Sequence, residues 1–416
     1  MENPVVIRNR EQLIFMLSEA ATLEHMVMCQ YLYASFALKR NTSEGVSEDQ
    51  LAAVRRWDKV ITEVAEQEML HLSLVNNLLI SIGAAPYFGR PNFPLQSRYF
   101  PSRVRLVLMP LDEVALRHFL YLERPETMAI EDVPGFVREG MQASGGEIVP
   151  ESQEFATIGQ LYRGVEEGIN FLAENYGEKE VFIGSQESQA TAEHFGWKKL
   201  IAVKDLASAK AAIDTIVTEG EGARGDWRDA HFGKFVQILN EFLEIKKADP
   251  QFSPSRPALA AFTRLPGDAE IAELIDDEMT AKVSDLFNAS YEVLLQVLSR
   301  FFLQVETSHE ELSKLSGASI RLMVTVIKPL GTLLTTMPIG PHRPGLTAGP
   351  SFEMFRMSYL LPRSQAAWIV LHERALELTG FCSELARAPN APKMLLAVEK
   401  ALGNVVKMFE QSSTQT

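Results

Sequence analysis

Two stretches with the apolar spacing of long helices each carry a glutamate where an apolar residue is expected. In the first stretch, Glu24 falls in line with Leu17 and Tyr31, seven residues away on either side. In the second, Glu68 lies on the apolar face, and His71 follows it by three residues. An unpaired buried carboxylate is costly, so both glutamates are expected to meet a partner inside a helical bundle.

Glu68 and His71 form an E-x-x-H whose two side chains share one helical face. A pair of di- or trivalent metal ions needs several carboxylate oxygens and imidazole nitrogens that converge from facing helices. A glutamate on one helix with an E-x-x-H on its neighbour is half of a dimetal carboxylate site. The spacing therefore predicts metal ligation by Glu24, Glu68 and His71, and a buried ion pair with a structural role is the alternative.

The second half of such a site is expected on two later helices. Glu166 borders the apolar face of the third, and Glu221 lies on the apolar face of the fourth, whereas Glu219 is expected to point elsewhere. No histidine follows Glu221 by three residues, but His231 faces the apolar side after a Gly-rich interruption. We predict that the fourth helix is broken there and that Glu221 and His231 replace the second E-x-x-H. The alternative is a Gly-rich loop followed by a core-facing histidine.

Two tyrosines share the helical faces of these predicted ligands. Tyr31 lies seven residues from Glu24, and Tyr162 lies four residues from Glu166. A tyrosine beside a di-iron centre can supply an electron or a hydrogen bond, so both are candidate catalytic residues. A core tyrosine with a satisfied hydroxyl is the alternative interpretation.

The helical periodicity extends over most of the chain and predicts an all-α protein. Two long helices joined by a short link precede a Pro-rich region from about residue 84 to 152, which we interpret as a long crossover. A third helix and the broken fourth complete a ferritin-like four-helix bundle. After a Pro-rich stretch, four further periodic segments predict a second helical bundle. The predicted domains are residues 1–250, the dimetal bundle, and residues 251–416, the second bundle.

The composition excludes several classes of protein. The 416 residues contain 54 acidic and 40 basic side chains, a net charge of −14, which disfavours binding to nucleic acid or to an anionic membrane. The two cysteines cannot form a disulfide framework. The charged amino terminus does not resemble a secretion signal, and we expect a cytoplasmic protein. Motifs for phosphate loops, dinucleotides and serine nucleophiles are absent from the sequence.

Several motifs resemble one known family. They include LEHMVMCQYLYASFALK, EQEMLHLSLVNNLLISIGAAPYFGRPNFP, FLYLERPE, TIGQLYRGVEEGI, TEGEGA with HFGKF, and PLGTLLTTMP followed by TAGPSFE. From about residue 9 to about residue 385, the chain resembles the VioB-type ferritin-like domain family, also called iminophenyl-pyruvate dimer synthase-like. The family includes domains of larger enzymes that oxidatively couple imines of aromatic 2-oxo acids, and this chain resembles its stand-alone members.

The resemblance implies metal ligands at the positions that periodicity also selects. These six residues are Glu24, Glu68, His71, Glu166, Glu221 and His231. The donor set suits two iron ions, or manganese, better than zinc or copper(I). The expected partners are O2 and a small-molecule substrate, and homo-oligomer formation is a further expectation.

The expected function is that of a di-iron oxidase or oxygenase acting on an amino-acid-derived or aromatic metabolite in specialised metabolism. Two alternatives stay open at this point. One is a peroxide- or iron-handling dimetal protein of the manganese-catalase kind. The other is a non-catalytic helical module whose buried acids are structural.

Overall fold

The computed structural model describes residues 5–96, 105–131, 153, 155–222, 226–264, 273–303, 308–355, 360 and 364–413. The chain is 64% helix with few strands, which confirms the all-α prediction. The helices are α1 (Arg10–Ala37), α2 (Glu48–Ser81), α3 (Glu113–Leu122), α4 (Ile158–Tyr176), α5 (Glu178–Val181), α6 (Ala192–Phe195), α7 (Leu206–Gly220), α8 (His231–Ala248), α9 (Glu278–Phe302), α10 (His309–Leu322), α11 (Lys328–Leu334), α12 (Ser364–Ala386) and α13 (Met394–Ser413).

Helices α1 and α2 form the centre of the fold. Asn9 caps α1 by accepting a hydrogen bond from the backbone of Gln12, and Ser47 and Gln50 form a capping box at the start of α2. The two helices pack against each other over much of their length. Most residues of α1 from Leu13 to Ala37 are buried, because other elements cover more than one side of this helix.

Four helical units surround the predicted metal ligands. Helix α1 packs on α2 and α4, α4 packs on α7, and α2 packs on both α7 and α8. The fourth unit is divided, since α7 ends at Gly220 and α8 begins at His231, which confirms the predicted break. The short helix α3, within the predicted crossover, packs on α8.

The C-terminal region contains α9 to α13 and a small sheet. The sheet contains β3 (Ala258–Phe262), β4 (Glu273–Leu274) and β5 (Thr347–Gly349), whereas β1 (Leu95–Gln96) and β2 (Arg105–Leu106) lie between α2 and α3. Strand β3 pairs in parallel with β4 and β5, in the order β4-β3-β5, whereas β1 and β2 form an antiparallel pair. The Pro-rich stretch that precedes the four C-terminal periodic segments therefore contains β3, the central strand of this sheet.

One buried cluster of apolar side chains runs from Val5 to Phe409 and joins both halves of the chain. Arg256, just after the predicted boundary, donates hydrogen bonds to the Glu44 carboxylate and to the Phe36 carbonyl on α1. The domain boundary at residue 250 stays a prediction.

The helical stretch His309–Leu334 is apolar and long enough to cross a membrane by length and composition. Leu315, Leu322 and Leu330 from this stretch are fully buried in the core. A core helix meets the same criteria. The stretch is therefore weak evidence for a membrane span, and the cytoplasmic location stays a prediction.

The contact between Gly331 and Phe36 tests how tightly the two halves are packed. A methyl group at Gly331 would overlap the Phe36 ring on α1. We expect Gly331→Ala to lower the free energy of unfolding by about 1–3 kcal/mol through overpacking. Gly317→Ala is the matched control, because its methyl would meet only Met408 Cε, at 3.6 Å. Urea unfolding followed by circular dichroism should show Gly317→Ala at least as stable as the parent. Equal stability of both variants would contradict tight packing of α11 on α1.

Candidate metal centre

The Glu68 carboxylate lies between two histidines that come from different helices. Glu68 Oε2 is 3.0 Å from His71 Nδ1 on α2, and Glu68 Oε1 is 2.9 Å from His231 Nδ1 at the start of α8. All three side chains are almost completely buried. The two imidazole rings lie 5.5 Å apart and are nearly parallel. A carboxylate in this position can bridge two metal ions that each bind one of the histidines.

Around Glu68, the structure brings together two groups of potential metal ligands. The first contains Glu24, Glu68 and His71, and the second contains Glu68, Glu123 and His231. Within each group the ligand atoms lie within 4.8 Å of one another, and every member is buried. Each group therefore contains one histidine and one glutamate of its own, and Glu68 belongs to both groups.

His71 is oriented by groups on both sides of its ring. Its Nε2 is 3.0 Å from Glu219 Oε2, and Lys199 Nζ donates to Glu219 Oε1 at 2.6 Å. With Nε2–H donating to Glu219, Nδ1 is the ring nitrogen that faces Glu24 and Glu68. A carboxylate behind a histidine in this way fixes the tautomer and raises the basicity of a metal ligand.

The two tyrosines both reach carboxylates of these groups. The Tyr31 hydroxyl donates a hydrogen bond to Glu123 Oε1, and the Tyr162 hydroxyl donates to Glu24 Oε1. Tyr31 is held by aromatic contacts with Phe119 on α3. Tyr162 thus orients Glu24 of the first group, and Tyr31 orients Glu123 of the second group. A catalytic role for Tyr31 and Tyr162 stays a prediction.

A family model described as Ferritin-like matches residues 17–240. The chain belongs to the ferritin-like family. The matched region contains both ligand groups, and the predicted resemblance is confirmed.

Two curated relatives of this ferritin-like chain are biosynthetic enzymes. Dichlorochromopyrrolate synthase of Lentzea aerocolonigenes is 27% identical, with 98% of this chain and 41% of the relative aligned. The 2-imino-3-(indol-3-yl)propanoate dimerase of Chromobacterium violaceum is also 27% identical, with 83% of this chain and 34% of the relative aligned. The chain therefore spans less than half the length of the curated relatives that it matches. A solved ferritin-like protein from Caulobacter vibrioides is 16% identical, covers 75% of this chain and 94% of its own, and has a TM-score of 0.48.

The donor atoms of the ferritin-like site fit a metal pair. Three carboxylates, of Glu24, Glu68 and Glu123, converge in a buried region, where their mutual repulsion demands positive charge. The His231 side chain is fully buried, its Nδ1 lies 2.9 Å from Glu68 Oε1, and its Nε2 has no hydrogen-bond partner among the described residues. A buried imidazole whose ring nitrogen faces two carboxylates is the arrangement expected of a metal ligand.

Without metal, protons must compensate the same charges. Burial and the neighbouring Glu68 raise the pKa of Glu24 to about 8. For His231, burial lowers the pKa, but Glu68 and Glu123 outweigh this effect and raise it to about 9. The pKa of Glu68 is lowered, because His231 and His71 outweigh the cost of its burial. A metal pair would displace the extra protons that these groups hold.

Two of the predicted ligands lie outside both groups. Glu166 on α4 is only half-buried. Glu221 is buried, but its carboxylate accepts a hydrogen bond from the Gly159 backbone at the start of α4, and burial raises its pKa to about 7. Glu219 was expected to point elsewhere, and that expectation is wrong, because its carboxylate contacts His71. Metal ligation by Glu166 and Glu221 stays a prediction that the geometry does not favour.

Glu123 is the ligand candidate that the sequence reasoning missed. It follows α3 directly, four residues after the buried Phe119 and seven after the buried Leu116. The same periodicity that selects Glu24 and Glu68 would have selected it. Glu123 lies within the motif FLYLERPE, on which the family resemblance partly rests.

The raised pKa values predict how the stability of the metal-free protein depends on pH. The pKa of His231 is about 9 in the folded protein and 6.5 in the unfolded chain. The pKa of Glu24 is about 8 in the folded protein and 4.5 in the unfolded chain. The folded state therefore holds more protons, and its stability falls as pH rises from 6.5 to 9. Melting of chelator-treated protein at several pH values should show this fall. His231→Gln should flatten the dependence, and a melting temperature that rises toward pH 9 would contradict the charge assignment.

Glu123 and Glu166 provide a matched pair for ligand assignment. We expect Glu123→Ala to lower bound iron by at least half, since it removes one of the three donors of its group. Glu166→Ala should leave the metal content unchanged. Elemental analysis after anaerobic Fe(II) loading and desalting measures both, with circular dichroism to verify folding. The reverse result would restore Glu166 as a ligand and remove Glu123.

Proposed function

We propose that this chain is a non-haem di-iron oxidoreductase that uses O2 to oxidise a small organic metabolite, aromatic or derived from an amino acid, in specialised metabolism. The observation that carries the proposal is the pair of buried ligand groups that share Glu68. Either group alone would suit one ion, but the shared carboxylate is the feature expected of a metal pair.

The names of the relatives support the substrate class. One is named as a synthase of dichlorochromopyrrolate and the other as a dimerase of 2-imino-3-(indol-3-yl)propanoate. Both names refer to small organic compounds and to biosynthetic reactions. Because less than half of each relative aligns with this chain, we propose oxidation of a related metabolite and do not extend the dimerisation to it.

Five side chains would hold the ions: Glu24, Glu68, His71, Glu123 and His231. Two bound iron ions would supply the reductive activation of O2. Iron is the proposed metal because the donors are all oxygen and nitrogen, and manganese suits the same donor set.

The residues around the ligands orient the carboxylates and exclude water from them. The Tyr31 and Tyr162 hydroxyls hold the carboxylates of Glu123 and Glu24 in fixed orientations. Glu219 does the same for the His71 ring. The ligand side chains are almost inaccessible to solvent. This low-polarity setting strengthens their interaction with positive charge and keeps water away from a reactive centre.

Anaerobic loading with Fe(II), followed by O2, tests the proposal. We expect about two tightly bound iron ions per chain and oxidation of both, seen as new near-ultraviolet absorption and consumption of O2. Glu68→Ala should lose both ions, because both groups contain Glu68.

Two outcomes of this experiment would overturn the proposal. Less than stoichiometric iron in both the purified and the reconstituted protein would indicate a helical module without a metal cofactor. Rapid release of O2 from added peroxide, over many turnovers, would instead indicate a peroxide-handling protein. The peroxide assay should use protein loaded with iron and, separately, with manganese.

A further inference from the structure

A cavity of about 350 Å³ lies between the α1–α2 pair and the C-terminal helices. Its walls come mainly from α1, α2, α9 and the helical stretch 320–328. Small-molecule sites typically have volumes of roughly 300–1,000 Å³. None of the five side chains of the two metal-ligand groups lines this cavity. It is therefore separate from the candidate metal centre.

The α1–α2 pair divides the cavity from the metal centre. On α1, Glu24 belongs to the ligand groups, whereas its neighbour His25 lines the cavity. On α2, Glu68 belongs to the ligand groups, whereas Met69 lines the cavity. Successive residues of a helix point about 100° apart, so each helix presents one face to each site. The C-terminal helices complete the cavity on its other side.

The cavity walls suit a flat aromatic molecule. The rings of Phe36, Phe88 and Trp197 line it together with the thioethers of Met28 and Met69. Aromatic rings pack well in stacked or edge-on arrangements, and thioether sulfur contacts ring edges favourably. A ligand of this kind would fill the apolar volume.

The polar groups of His25 and Tyr291 in the cavity wall already have partners. His25 Nδ1 lies 3.1 Å from the Phe88 carbonyl and donates to it, and His25 Nε2 accepts from the Tyr291 hydroxyl. Cys29 Sγ is 3.3 Å from the same hydroxyl. This chain of hydrogen bonds is complete within the protein and leaves no strong donor for a charged ligand.

Lys328 provides an unpaired positive charge at the cavity wall. It is half-buried at the wall, and within the described ranges its ammonium makes no ion pair or hydrogen bond. Because this ammonium has no partner in the described protein, the anionic group of a ligand in the cavity can pair with it. Glu66, an exposed residue that also lines the cavity, would repel a second negative charge on the ligand.

The wall beside Lys328 also departs from regular helix. Met323–Ile327 forms a π-helical turn, and Lys328 follows it directly. Met323, Val324 and Ile327 from this turn line the cavity. Such turns are rare and occur frequently at functional sites. The irregular turn and the unpaired lysine thus coincide at one wall.

We propose that this cavity binds a small planar aromatic monoanion, with its ring system among the apolar side chains and its anionic group at the Lys328 ammonium. The site goes beyond the proposed oxidase function and needs no bound metal. It gives the C-terminal helices a role in binding a small molecule.

Calorimetric titration of the chelator-treated full chain with 2-naphthoate and with uncharged 2-naphthamide tests the proposal. We expect 2-naphthoate to bind more tightly. Lys328→Gln should weaken 2-naphthoate binding about tenfold, since a hydrogen bond to a charged group is lost, and should leave 2-naphthamide binding unchanged. Lys400→Gln, at an exposed position on α13 outside the cavity, is the matched control. Equal loss for both probes, or no loss for 2-naphthoate, would overturn the contact with Lys328.

A second variant tests the location of the ligand. Leu298 on α9 lines the cavity and is half-buried, so Leu298→Trp would fill part of the volume. We expect Leu298→Trp to weaken the binding of 2-naphthoate and of 2-naphthamide at least tenfold. The melting temperature and the iron content should stay near those of the parent. Unchanged affinity for both probes, or no binding of either by the parent at millimolar concentration, would overturn the proposal. Because the titrations use metal-free protein, these outcomes are independent of the di-iron test.

Discussion

The position of the Glu68 carboxylate between His71 and His231 is the constraint on which the rest of the site depends. One oxygen faces each histidine, and the histidines come from α2 and α8. Both helices must therefore hold their places to within a fraction of an ångström for the two contacts to exist together. Neighbouring contacts hold both histidines in place. Glu219, paired with Lys199, contacts Nε2 of His71, and Glu123 at the end of α3 lies close to His231.

The buried charges explain why such a site requires extensive packing around it. Three carboxylates in one apolar region would destabilise the fold unless protons or metal ions compensate them. The raised pKa values of Glu24 and His231 show that protons do so in the absence of metal. A large apolar core joins both halves of the chain. Burial of these apolar side chains stabilises the folded state and offsets the cost of burying the carboxylates.

The sequence allowed prediction of the parts of the site that lie within regular helices. Glu24, Glu68 and His71 are inside α1 and α2, where periodicity is unbroken and a 100° step locates each side chain. Glu219 and Glu221 lie at the end of α7, where the helix stops at Gly220 and the same extrapolation fails. The all-α fold was predictable for the same reason, and the break in the fourth helix was predictable from the Gly-rich sequence before His231.

Glu123 was hidden by its context rather than by its spacing. It follows a helix of only ten residues inside a Pro-rich region, where the periodic signal is short. The cavity was harder to anticipate, because its walls come from elements far apart in the chain, such as Met69 and Lys328. Neither periodicity nor motif spacing carries information on that packing, which is set by tertiary contacts between the two halves.

The break between α7 and α8 has an electrostatic consequence that an unbroken helix would lack. It makes His231 the first residue of α8, so the positive end of that helix lies beside Glu68 and Glu123. It also frees Glu221 to accept a hydrogen bond from Gly159 at the start of α4, where a side chain larger than glycine's would overlap the carboxylate. Two helix N-termini thus face acidic side chains at the centre of the bundle. A continuous fourth helix would not place a helix N-terminus beside the carboxylates of Glu68 and Glu123.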